Sequence, residues 1–225
     1  ADKEVCQNDP AVVIGTAPGG SGGTSPYLTL WTPAASLTGA ATATPSASTA
    51  TVGTIDYMLQ VTDAKGCIAN DTVKVKVNPL PTVTITTSPA DSICLGGSTT
   101  MTAAGAAGTP GYTYDWGSTT NAANTVSPTT NTTYNVTVTD TKGCKASASR
   151  SIKVNPVPVA NAGTSPFSRV NCAGDSVQLG TSSIAGNTYS WSPSTGLSSS
   201  TVAMPWAKPT VTTTYNLTVT NASNC

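Results

Sequence analysis

The sequence contains no histidine, one glutamate (Glu4) and one phenylalanine (Phe167). Without histidine it lacks the commonest general base and metal ligand. Serine and threonine abound, but a hydroxyl nucleophile needs a base beside it, so no Ser–His constellation can be assembled and no enzyme is expected. Charge is equally scarce: 9% of residues are charged, and ten basic side chains balance ten acidic ones. Scattered lysines with zero net charge do not make a nucleic-acid footprint. No run of about 18 apolar residues occurs, which excludes a membrane-spanning helix in this segment. The Gly-rich stretch Gly19-Gly-Ser-Gly-Gly23 lacks the lysine and following helix of a phosphate loop and reads as a flexible loop. No cofactor and no metal are expected.

What is present is threonine, 42 in 225 residues, with a hydrophobic fraction of 38%. One glutamate and few leucines beside so much Thr and Val argue for strands over helices. The chain repeats itself three times. Tyr57-Met-Leu-Gln-Val-Thr-Asp63-Ala-Lys-Gly66-Cys67 recurs as Tyr134-Asn-Val-Thr-Val-Thr-Asp140-Thr-Lys-Gly143-Cys144, and again as Tyr215-Asn-Leu-Thr-Val-Thr-Asn221-Ala-Ser-Asn224-Cys225. Upstream of each block lies an earlier cysteine (Cys6, Cys94, Cys172), and between the two sits one tryptophan (Trp31, Trp116, Trp191). The period is 75 to 88 residues, the size of a small sandwich and too long for a solenoid turn.

Val77-Asn-Pro79-Leu-Pro81 and Val154-Asn-Pro156-Val-Pro158 close the first two repeats with stiff, extended linkers. The resulting domains are residues 1–79, 80–156 and 157–225, the first expected to lack strand A before Cys6 and the third to lack strand G after Cys225. We read the window as a piece of a longer array. A strand donated by a neighbouring chain, as in donor-strand filaments, is the second reading.

Period-two alternation gives the strands. Val73, Val75 and Val77 share one face, as do Tyr134, Val136 and Val138, and Tyr215, Leu217 and Val219. Asp-x-Lys-Gly reads as a hairpin turn in which glycine supplies the left-handed residue, and Asn224 replaces it in the third copy. The predicted fold class is all-β: tandem immunoglobulin-like β-sandwich domains in a rod on the order of 100 Å long.

Four pieces carry a resemblance. Cys172-Ala-Gly-Asp-Ser176, Tyr189-Ser-Trp191-Ser-Pro193, Pro209-Thr-Val-Thr-Thr-Thr-Tyr215 and Val138-Thr-Asp-Thr-Lys-Gly-Cys144 resemble the Ig-like/PKD-like repeats of Bacteroidota cell-surface proteins. These include gliding-motility adhesins and other type IX-secreted proteins. The first repeat departs from the pattern, with Asn8-Asp-Pro10 in place of Gly-Asp-Ser and the Gly-rich insertion after it. The resemblance implies a secreted, extracellular, multi-domain stalk or adhesin at a bacterial surface, without a catalytic residue.

Two cysteines per repeat in an extracellular setting imply disulfides. Pairing within repeats would join Cys6–Cys67, Cys94–Cys144 and Cys172–Cys225. The first cysteine precedes strand B and the second follows strand F. In an Ig sandwich that separates them by about 20 Å, whereas a disulfide needs Cα atoms within about 7 Å. The alternative staples neighbours, Cys6–Cys144 and Cys94–Cys225, leaving Cys67 and Cys172 facing outward. The topology weighs slightly towards the staples; intra-repeat pairing and free thiols remain open.

The remaining candidates are weighed against plainer readings. Trp31, Trp116 and Trp191, with Tyr57, Tyr134 and Tyr215, read as core. Trp206, between Pro205 and Pro209, is a candidate ligand contact. Thr72, Ser92 and Ser176 match an O-glycosylation pattern of Asp, Ser or Thr, then an apolar residue. Asp63 and Asp140 read as turn formers, because calcium needs several clustered carboxylates. The function expected is a structural stalk or filament segment of a surface adhesin. Its partners would be neighbouring repeats of the same chain or identical subunits. The alternative is a carbohydrate- or surface-binding module, with surface glycans as partners.

Overall fold

The structure, a computed structural model, describes residues 1–17, 19–163 and 175–225. No helix occurs among them. The chain divides into two compact units, residues 1–86, 101–124 and 134–150 in the first and 87–100, 125–133 and 151–225 in the second. The middle of the sequence contributes to both.

The first stretch runs β1 (Lys3–Cys6), β2 (Val12–Val13), β3 (Leu28–Thr32), β4 (Leu37–Thr38), β5 (Ser46–Ala47), β6 (Gly53–Thr62) and β7 (Ile68–Asn78). One sheet has the order β1-β7-β6-β3 and a second the order β2-β5-β4. Alternation explains which face is buried: Val73, Val75 and Val77 of β7 point inward, and Thr72, Lys74 and Lys76 outward. The inner face meets Trp31, Tyr57, Leu59, Ile14 and Ala47. The segment before Cys6 forms a short strand: Lys3–Cys6 pairs in parallel with β7, with Cys6 opposite Asn78.

The middle stretch runs β8 (Pro81–Ser88), β9 (Ser92–Cys94), β10 (Thr99–Ala107), β11 (Thr113–Asp115), β12 (Ala123–Val126), β13 (Thr132–Thr139) and β14 (Lys145–Asn155). Its sheets have the orders β12-β10-β8 and β11-β13-β14-β9. Strand β9 repeats the geometry of β1: it pairs in parallel with β14, with Cys94 opposite Asn155. The last stretch holds β15 (Val177–Gln178), β16 (Thr188–Ser192), β17 (Trp206–Ala207) and β18 (Asn216–Thr220). There β15 pairs with β17 and β16 with β18 around Leu179, Trp191 and Ala207.

The repeated tryptophans are buried, and each indole N–H is satisfied by a loop carbonyl. Trp31 donates to Thr42 O at 3.2 Å, Trp116 to Asn121 O at 3.1 Å and Trp191 to Val202 O at 3.0 Å. Buried indoles need such partners. In two copies a glycine threads beneath the ring. Gly15 and Gly180 have φ of +79° and +80°, and a Cβ on either would sit 2.3 or 2.1 Å from the carbonyl oxygen of Ala43 or Ala203. Of the three tyrosines expected in the core, Tyr57 is fully buried, whereas Tyr134 and Tyr215 are half-buried. Tyr215 packs on the Trp191 cluster and donates its hydroxyl to Thr195 O at 2.7 Å, which keeps its tip near water.

Candidate functional site: turns, strand ends and their cysteines

The same turn follows the last tyrosine-bearing strand of each repeat, anchored by the side chain of Asp63, Asp140 or Asn221. In the first copy Asp63 Oδ1 accepts from the backbone N–H groups of Lys65 (2.9 Å) and Cys67 (2.8 Å), and Oδ2 accepts from Thr24 N (3.0 Å). In the second, Asp140 Oδ1 accepts from Lys142 and Cys144, both at 2.9 Å, and Oδ2 accepts from Thr109 N (2.8 Å). In the third, Asn221 Oδ1 accepts from Ser223 (2.9 Å) and Cys225 (3.0 Å). Asparagine has only one side-chain acceptor, and its Nδ2 instead donates to Pro156 O at 2.8 Å. The residue before each cysteine takes positive φ: Gly66 at 82°, Gly143 at 80° and Asn224 at 59°, which Gly and Asn tolerate best.

These bonds act on the carboxylates. Backbone donation from Thr24, then Cys67, holds Asp63 below the ordinary aspartate range. Burial by itself would raise Asp140, but donors from Thr109, Cys144 and Lys142 outweigh it and hold this group low as well. Both aspartates are therefore committed to backbone donors and act as structural anions.

The strand ends meet the turns. Cys6, at the end of β1, is bonded to Cys144, and Cys94, at the end of β9, to Cys225; both Cα–Cα separations are 5.5 Å. Each bond joins the first cysteine of one repeat to the turn cysteine of the next. Cys172 lies outside the described residues. Cys67, the turn cysteine of the first copy, is an exposed free thiol, whereas Cys144 is 1% exposed.

Beside the first bond, Glu4 Oε1 accepts from Lys142 Nζ (3.0 Å), Lys76 Nζ (3.1 Å) and Asn78 Nδ2 (3.1 Å). The donor from Lys142, then those from Lys76 and Asn78, lower the Glu4 pKa to about 2. Beside the second bond, Ser92 occupies the position of Glu4, and its Oγ accepts from Asn155 Nδ2 at 2.6 Å. Asn78 and Asn155 are buried at corresponding places, so each strand end is tied to the following edge by an asparagine. Sequence reading missed these two asparagines. The shared Val-Asn-Pro at the repeat ends was the available signal.

The other candidates scatter. Thr72 is exposed on the outward face of β7, and Ser176 is exposed before β15. Ser92 is exposed but already engaged by Asn155. Trp206 is 52% exposed on β17, with its backbone N–H on Ser198 Oγ at 2.9 Å. A cavity of about 460 Å³ opens in the first unit, with Gly19, Gly20, Trp31, Leu59 and Val61 in its wall. Among the described residues no three cysteine, aspartate or glutamate side chains cluster as metal ligands would. No helix of the described residues is long and apolar enough to cross a membrane.

No family model matches the chain, and no curated protein matches it. Among solved structures it is similar to the N-terminal eight Ig domains of Down Syndrome Cell Adhesion Molecule. That match has a TM-score of 0.51 at 8% identity and covers 92% of this chain and 32% of that one. The chain thus spans about a third of that structure. It is also similar to titin domains I67–I69 (TM-score 0.43, 13% identity, 98% and 90% covered) and to fibronectin(III)-like modules of CbhA from Clostridium thermocellum (0.35, 17%, 69% and 90%). The chain has an all-β fold of tandem Ig-like domains.

Proposed function

We propose that the chain is a structural segment of a secreted bacterial surface protein, three Ig-like repeats (1–79, 80–156 and 157–225) stapled end to end. The observation that carries this reading is the register of the two disulfides. Each ties a leading strand to the turn of the following repeat, so pulling on the chain loads a covalent bond as well as the Pro linker. Structural disulfides persist in oxidising compartments, which supports an extracellular location. The resemblance of the cysteine, tryptophan and turn motifs to Bacteroidota surface repeats supports a stalk or filament segment of an adhesin. The test is single-molecule stretching with and without reductant. The oxidised chain should release no more contour length than residues 1–6 and 94–144 supply, the shortest covalent path through the two bonds, and full release without reductant overturns the reading.

A second reading, a carbohydrate-binding module, rests on Trp206, a half-exposed indole at a sheet surface. Such a ring can stack on a sugar. Binding on a glycan array that disappears in Trp206→Ala would favour it over the stalk.

A further inference from the structure

The turn at Cys67 matches the turn at Cys144 bond for bond. The same aspartate oxygens accept from the residues two and four further on, and the other oxygen accepts from a threonine N–H of the preceding loop. The equivalent cysteine is disulfide-bonded in both other copies. Each time the partner is the last residue of a short strand paired in parallel with the edge strand of its own repeat. Cys67 thus presents the same turn as the two cysteines that are bonded.

The filled site also shows how a partner is chosen. Two residues before Cys144 stands Lys142, and two residues before its partner Cys6 stands Glu4; their side chains pair at 3.0 Å. Glu4 and Cys6 lie two apart on β1 and share a face, and Lys142 in the facing turn reaches that face beside the bond. In the second staple the corresponding residues are Ser223 and Ser92, and no charge is left on either side. Lys65 stands two residues before Cys67. It is exposed, and it pairs with no carboxylate among the described residues. The leading cysteines of this chain have Glu4, Ser92 and Val170 at that place. Only Glu4 is acidic, and its cysteine is already bonded to Cys144.

We propose that Cys67 and Lys65 together receive the leading strand of another Ig-like repeat, one outside these 225 residues, that carries an acidic residue two positions before its cysteine. The proposal deepens the stapled-array reading and rests on it. Bond formation is thiol–disulfide exchange. The Cys67 thiolate attacks the cysteine sulfur of a strand held as a mixed disulfide with glutathione. The new S–S bond forms as the old one breaks, and glutathione leaves as a thiolate that takes up a proton.

The probe is a peptide with the sequence of the filled site, Lys-Glu-Val-Cys-Gln-Asn, in competition with Lys-Val-Glu-Cys-Gln-Asn. The second has the same composition and charge but turns its glutamate to the opposite face. Both are offered as glutathione mixed disulfides to the full chain carrying Cys172→Ser, and the adducts on Cys67 are counted by mass. An exposed ion pair gives a preference of about two- to fivefold for the first peptide at low salt. Lys65→Glu should abolish that preference and favour a peptide with lysine in place of the glutamate. Equal adducts from both peptides, or a preference that survives Lys65→Glu, overturn the proposal. Failure of the array reading would look different: peptide mapping of the untreated chain would then find Cys6 unbonded to Cys144.

Discussion

Two turns of the same sequence pattern, Asp63-Ala-Lys-Gly-Cys67 and Asp140-Thr-Lys-Gly-Cys144, share their internal hydrogen bonds, yet one is exposed and the other buried. Cys144 is 1% exposed and Asp140 5%, whereas Asp63 is half-buried and Cys67 is exposed. The difference is the arrival of β1. Local sequence builds the turn, and the strand end of another repeat turns it into interior. A surface turn thus becomes a joint without any change in its own hydrogen bonds.

The sharpest way to break this comparison is to remove the staple. Replacing Cys6 and Cys144 together by alanine should destabilise the first unit by roughly 5 kcal/mol, the cost of freeing a loop of well over 100 residues. Cys67→Ala should change stability by less than about 0.5 kcal/mol, as for exposed sites outside a disulfide. Urea unfolding of the two variants measures both. Equal effects would mean that the two turns do not differ energetically.

The next contrast uses the anchoring aspartates. Asp140→Ala leaves the buried N–H of Cys144 and the part-buried N–H groups of Lys142 and Thr109 without an acceptor and should cost about 3 kcal/mol. Asp63→Ala exposes its donors to water and should cost distinctly less. Gly66→Ala and Gly143→Ala should instead cost the same, about 1 kcal/mol each, because both take positive φ and a methyl at either meets nothing within 4 Å. Unequal glycine costs would show that the turns differ in backbone as well as in cover.

The smallest effect concerns Glu4. Its folded pKa of about 2 lies below the ordinary value of 4.5. Its pairing with Lys142 and Lys76 therefore stabilises the fold fully above about pH 4.5 and is lost as pH falls through about 2. Midpoints of Glu4→Gln and the parent should differ at pH 7 and converge at pH 2. A constant gap across that range would show that charge is not the cause.

Much of this was legible in the residues themselves. The Val73-to-Val77 alternation, the recurring tyrosines and tryptophans and the Asp-x-Lys-Gly turns are local patterns, and strand, core and turn follow from them over a few residues. The candidate site was legible in part. The cysteine spacing posed the pairing problem and left two answers open; in the structure the strand ends at Cys6 and Cys94 meet Cys144 and Cys225. Other features carried no local signal. Asp63 is bonded to Thr24 across 39 residues and Asp140 to Thr109 across 31. Gly15 and Gly180 pass beneath Trp31 and Trp191, although in sequence each is one glycine among twenty. Strand β1 escaped notice because four residues are too few to show a period.

By itself, then, the sequence determined an all-β chain of three related repeats with one turn, one tryptophan and two cysteines in each, because side-chain alternation and turn chemistry act between near neighbours. Only the tertiary structure decided which cysteines meet, which aspartate is buried and which lysine finds Glu4, because those depend on where one repeat's strand end reaches the next repeat's turn.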